Sequence, residues 1–212
     1  MTAVDLAFPL TGERVPRDHG YALYGALCRI APQLHGAAWL AVHPLGGKLA
    51  NATTLTLGAG AHLRLRLPAS HIADVLALAG ARLDVNGAVL AVGPPRIHVL
   101  VPAASVDARM VAIKLTRAPH RAHPELGRET LDVAGFAERY TREVKRQLSE
   151  LDIGKPFELR GRRSITVGGR RVVGYSVRVI GLSADESLAL QETGIGGKRR
   201  MGCGVFRPTK GP

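Results

Sequence analysis

The chain has 212 residues, 46% of them hydrophobic, which excludes a disordered chain and suffices for one large core or two small ones. Its 29 Lys and Arg against 17 Asp and Glu leave a formal charge of +12, so a polyanionic partner is expected. Two distant cysteines, Cys28 and Cys203, exclude a disulfide framework and a cysteine zinc set, and no metal site or cofactor is expected.

Val4–Phe8 reads as a first strand. Asp18 is placed to cap a helix through Tyr21, Tyr24, Leu27 and Cys28, limited by Pro32. Residues 38–42 form a short apolar strand, and 46–60 are Gly/Ala/Thr/Asn-rich and loop-like. Leu63, Leu65 and Leu67 alternate with Arg64 and Arg66, the period of a half-buried strand with its arginines outward. Ser70 is placed to cap a helix to about Gly80, and strands follow at 89–92 and 97–101. The second half repeats the order. A strand is expected at 110–115, then a polar insertion at 117–130, then an amphipathic helix at 132–148. Two strands, 157–167 and 171–180, flank Gly168-Gly169 as a hairpin. Ser183 opens a helix to about Glu192, and a last strand is expected near 205–206. Each half therefore reads βαββαβ, predicting an α+β chain of two tandem ferredoxin-like domains, 1–104 and 105–212.

The charge is uneven. Residues 1–106 hold 8 Lys and Arg against 5 Asp and Glu, and residues 107–212 hold 21 against 12. Residues 194–206 read Gly-Ile-Gly-Gly-Lys-Arg-Arg-Met-Gly-Cys-Gly-Val-Phe. Gly194, Gly196, Gly197 and Gly202 allow close approach of another polymer, and Lys198, Arg199 and Arg200 supply charge for a phosphodiester backbone. No hydroxyl follows Lys198, so the loop is not a P-loop. Arginine at 199 breaks the dinucleotide fingerprint.

This loop, the tandem βαββαβ order, and Asp-His-Gly-Tyr-Ala-Leu-Tyr-Gly-Ala-Leu-Cys-Arg at 18–29 with Leu-His-Gly at 34–36 resemble the RAMP superfamily of CRISPR-associated proteins. Within it the chain is most similar to the repeat-processing endoribonucleases, in a myxobacterial-type variant. The resemblance implies metal-independent cleavage of precursor CRISPR RNA within its repeats. The RNA's own 2′-hydroxyl would attack, leaving a 2′,3′-cyclic phosphate, with the repeat hairpin and other effector-complex subunits as partners. An alternative is a non-catalytic RAMP subunit with the same folds, and a third reading is an unrelated basic RNA-binding protein.

Such chemistry needs proton transfer and a cation at phosphorus. The family's catalytic histidine carries over to His35, beyond the first helix, with His19 as second choice. Tyr24 is the expected helper on that helix, and Lys48 stands where the family often has a catalytic lysine. His43 and His98 are expected to be packed, and His62 and His71 to lie on the surface; His120 and His123 fall in the insertion. Three binding surfaces are expected. They are the glycine loop, the hairpin arginines Arg160, Arg162, Arg163, Arg170 and Arg171, and the helix carrying Arg139, Arg142 and Arg146. Aromatic residues are only 4% of the chain, so a hairpin would be read by shape and phosphates more than by extended base stacking. No apolar segment follows Met1 and no apolar run would span a bilayer, so a cytoplasmic protein is expected.

Overall fold

The computed structural model describes residues 2–115 and 133–209; the whole of the expected insertion at 117–130, with His120 and His123, lies outside them. The N-terminal half contains β1 (Ala3–Thr11), β2 (Arg14–Pro16), α1 (Gly20–Ile30), β3 (Ala41–Val42), β4 (Lys48–Leu49), β5 (Thr54–Thr56), β6 (His62–Pro68), β7 (Arg82–Val85), β8 (Ala88–Val92) and β9 (Arg96–Val99). The C-terminal half contains β10 (Ser105–Val111), α2 (Val133–Ser149), β11 (Phe157–Val167), β12 (Arg170–Ile180), α3 (Ala184–Thr193) and β13 (Arg207–Pro208).

In the first half β1 is central. It pairs antiparallel with β6 on one side and with β9 on the other, and β3 lies outside β6. In the second half β10 lies between β12 and β13, and β11 is outside β12. Counting only βαββαβ strands, both sheets have the order fourth, first, third, second. That is the ferredoxin-like arrangement, here in tandem. One core gathers Leu6, Phe8, Leu27, Leu63 and Leu65. The other gathers Val106, Tyr140, Val144, Val177, Leu190 and Phe206.

Several expectations need correction. Residues 46–60 are not all loop, because β2, β5 and β4 form a small separate sheet. The helix expected from Ser70 is instead two 3₁₀ segments, Ala69–His71 and Ala73–Leu78, with Val75 and Leu78 buried three residues apart. That spacing suits a three-residue turn as well as an α-helix. The strand expected at 110–115 is Ser105–Val111, and the one expected near 205–206 falls at Arg207–Pro208. β7 adds a hairpin with β8 that the sequence did not suggest. His98 stands exposed on edge strand β9 rather than packed. Asp18 does not cap α1, because His19 holds that position and Asp18 Oδ2 accepts a 2.7 Å hydrogen bond from Thr166 N across the two halves. Ser183 does cap α3, in a reciprocal capping box with Glu186.

The largest departure is Arg66. It directly faces Asp5 across β1 and β6 and is buried, not solvent-facing. Its Nε and Nη2 donate to the two Asp5 oxygens at 2.8 and 3.0 Å. Its Nη1 donates to the carbonyls of Gln191 and Phe206 in the second half. His43 Nε2 lies 3.3 Å from Asp5 Oδ1. Burial holds His43 neutral, below its ordinary range. Burial alone would raise the Asp5 carboxyl, but the hydrogen bonds from His43 and Arg66 outweigh it and hold it far below the carboxylate range. The polar side of this strand is thus spent on joining the two sheets.

Candidate active site and nucleic-acid interface

The chain from α1 turns through a 3₁₀ segment, Pro32–Leu34, and delivers His35 to the surface. One side chain fixes this turn. The buried Tyr24 hydroxyl donates to Leu34 O and accepts from Gly36 N, both at 3.0 Å, bracketing His35 from either side. Burial raises the phenol above its usual range, so it stays protonated. Tyr24 therefore sets the position of His35, and its hydroxyl is already committed.

The glycine-rich stretch reaches this place from the other end of the chain. Its Gly197 N donates to Ala112 O and its Gly204 N to Met110 O, both at 2.7 Å, pinning the loop to the end of β10. Gly194, Gly196, Gly202 and Gly204 all have positive φ, as does Lys198. A Cβ on Gly194 would strike Gly204 O, and one on Gly204 would strike Ile195 O. Positive φ and close packing therefore call for glycine at 194, 196, 202 and 204, whereas a Cβ on Gly197 would meet only Ala112 O at 3.9 Å. The three cations also separate. Lys198 is exposed. Arg199 turns inward to donate from Nη2 to Glu192 O at 2.7 Å, and burial lowers its pKa to about 10. Arg200 stacks over the Tyr24 ring, 5.4 Å from its centroid. Its Nη1 lies beside Gly36, is buried, and has no hydrogen-bond partner among the described residues. A buried charged donor without a partner is costly unless something else accepts from it.

The structure thus brings His35, Tyr24 and Arg200 together. It does not bring His19 or Lys48 to them. His19 is buried, with Nδ1 2.9 Å from Pro16 O and Nε2 accepting from Leu45 N at 2.9 Å. Both ring nitrogens are occupied, and burial keeps the imidazole neutral. Lys48 is exposed in the separate sheet, on β4 beside β5.

A second feature is a cleft of about 540 Å³ between the halves, lined by Arg17, Arg109, Arg162 and Arg163. Burial first, then the fields of Arg163, Arg17 and Arg207, lower the Arg109 pKa. The nearby Asp18 is held by Thr166 N. Arg162 also lies 5.7 Å over the Phe136 ring. Arg160, Arg170 and Arg171 are exposed farther along the hairpin. Arg17 and Arg109 escaped the sequence reading because neither belongs to a run of charge. On the α2 surface Arg142 pairs with Glu138, and Arg146 with Glu143 and Glu150. Arg139 is half-buried on the same helix. Arg142 and Arg146 are thus ion-paired along the helix, as Arg160 is with Glu158 on the hairpin.

Tandem ferredoxin-like modules joined through a basic cleft, with a glycine-rich loop reaching back to the first helix, define a two-module protein with a polyanion-binding face. Residues 4–211 match the Cas6 CRISPR family, so the chain belongs to it. It is 37% identical to the CRISPR-associated endonuclease Cas6 of Myxococcus xanthus strain DK1622 over 208 residues, 98% of this chain and 82% of that relative. Solved structures with the same fold include the product of a Cas6-related gene from Pyrococcus furiosus, with a TM-score of 0.67 at 12% identity over 97% of this chain and 98% of the other. A RAMP protein binding different RNA substrates matches with a TM-score of 0.67 at 11% identity over 99% of this chain and all of the other. Among the described residues, no helix is long and apolar enough to cross a membrane.

Proposed function

We propose that this Cas6-family endonuclease cuts CRISPR precursor RNA within its repeats at the His35–Arg200 site, by attack of the 2′-hydroxyl on the adjacent phosphorus and without a metal. His35 moves the proton: its imidazole accepts it from the 2′-hydroxyl as the new P–O bond forms. The P–O5′ bond then breaks, leaving a 2′,3′-cyclic phosphate, and the departing 5′-oxygen takes a proton back from the His35 imidazolium, directly or through water. Arg200 stabilises the charge that builds on the phosphoryl oxygens. Tyr24 is a positioning residue, holding the turn that carries His35. The flanking strand is held along the cleft by Arg17, Arg109, Arg162 and Arg163, with Lys198 and the hairpin arginines extending the contact to phosphates.

The observation that carries this reading is the buried, unpartnered Arg200 Nη1 beside the exposed histidine turn. Once the Arg200 side chain turns outward from the Tyr24 ring, a scissile phosphate beside the His35 turn would satisfy that donor. The test is single-turnover cleavage of repeat RNA by His35→Ala. The rate should fall by about 10²-fold or more, the scale for a proton-transfer group, with RNA affinity largely kept. Cleavage at the normal rate would remove His35 from the chemistry. If the unsubstituted protein binds the repeat tightly and never cuts it, the non-catalytic RAMP reading takes its place.

A further inference from the structure

Beside His35 lies a second cavity of about 500 Å³, walled by α1 and the β7–β8 turn. Its helical wall carries Tyr21 and Gly25, four residues apart and so on one face. Tyr21 is 48% exposed, unusual for a large aromatic ring in a chain this poor in aromatics. Gly25 sits mid-helix, where glycine is disfavoured relative to alanine. Nothing in the fold demands it. Its φ is not positive, and an added Cβ would meet only the tip of Arg29, at 3.8 Å. The missing side chain therefore leaves bare helix backbone facing the cavity. The opposite rim is fixed. Arg29 Nη2 donates to Asp84 O at 2.7 Å, tying α1 to β7, and Gly87 N donates to Asp84 Oδ1 at 2.7 Å within the turn. Asn86 lines that rim in a left-handed conformation, and its exposed amide makes no hydrogen bond among the described residues.

From this we infer that the cavity is a nucleobase subsite. One unstacked base of the nucleotides flanking the scissile phosphate lies flat over Gly25, stacked on Tyr21, with the Asn86 amide at its hydrogen-bonding edge. A planar ring is what a glycine-floored slot beside an exposed aromatic accommodates. An amide both donates and accepts, so it can read a base edge. The inference rests on the cleavage site proposed at His35, which opens onto the same cavity. It adds a source of sequence specificity in a protein otherwise expected to read shape and phosphates.

The test uses Gly25→Ala, Gly25→Leu and Tyr21→Ala in the full chain, with repeat RNA and with RNAs made abasic at single positions on either side of the cut. Gly25→Ala should raise Tm by about 2–4 °C, since it improves the helix and clashes with nothing. Gly25→Leu and Tyr21→Ala should lower kcat/KM by about 5- to 150-fold, the range for one lost base stack. One abasic position should cost the unsubstituted protein a similar factor and cost Gly25→Leu nothing more. Gly25→Leu cleaving every RNA as the unsubstituted protein does, while His35→Ala is inactive, would overturn the subsite and leave the cleavage site standing. An active His35→Ala would overturn the site on which both depend.

Discussion

Replacing Arg66 by leucine removes the charge that joins the two halves and leaves Asp5 ionised inside the protein. Three of its hydrogen-bonding nitrogens are used, two on Asp5 and one on the carbonyls of Gln191 and Phe206. Breaking a buried ion pair from one side costs about 3–5 kcal/mol, because the remaining charge is stranded. For a chain of this size 1 kcal/mol moves Tm by about 2–4 °C, so Tm should fall by about 6–20 °C. Removing Asp5 as well, in Asp5→Leu/Arg66→Leu, takes away the stranded charge. That double variant should recover stability relative to Arg66→Leu alone, short of full recovery because two carbonyls still lack their donor, about 1–3 kcal/mol. Urea denaturation measures each value, with the slope checking that the transition stays two-state. A double variant no more stable than Arg66→Leu would refute this reasoning, as would a single variant within about 1 kcal/mol of the unsubstituted protein.

Other outcomes follow from the same geometry. Arg200→Ala should slow single-turnover cleavage by about 10²-fold or more, the scale of one lost charge-stabilising donor, while Lys198→Ala mainly weakens binding. Replacing Arg17, Arg109 and Arg163 together by alanine should reduce the slope of log affinity against log salt by about 2–3 if each holds a phosphate; an unchanged slope would remove the cleft from the RNA path. Stability should fall on acidification in two steps with the same sign. Below pH about 6.5 the unfolded chain binds protons that buried His43 and His19 resist, and below about 4 it protonates a carboxyl that Asp5 keeps ionised. His43→Gln should shrink the first step to the share that His19 contributes and leave a second step in urea titrations at pH 7, 5 and 3.5.

Gly168-Gly169 located the β11–β12 hairpin, and the hydrophobic period located β6 and α2. The same rule misplaced Arg66, since alternation reports only that two sides differ and not what covers the second. The clue was Asp5, a lone carboxylate in an apolar strand. The 3₁₀ segments after Pro68 were misread because apolar residues three apart fit either helix. His35 and Tyr24 could be chosen from the neighbourhood of one helix. Their meeting with Arg200 could not, because a long-range loop closure brings 36 and 200 together. The glycine loop was visible, but the packing that calls for glycine at 194, 196, 202 and 204 joins it to residues far along the chain, which no local pattern reveals.

On the proposed mechanism the RNA supplies its own nucleophile at the His35–Arg200 site. Repeat RNA incubated with the protein in EDTA should be cut once per repeat to a 2′,3′-cyclic phosphate, and the same RNA with a single 2′-deoxyribose at the cut position should bind but stay intact. Cleavage of the deoxy-substituted RNA at that position, or loss of all activity in the chelator, would contradict it.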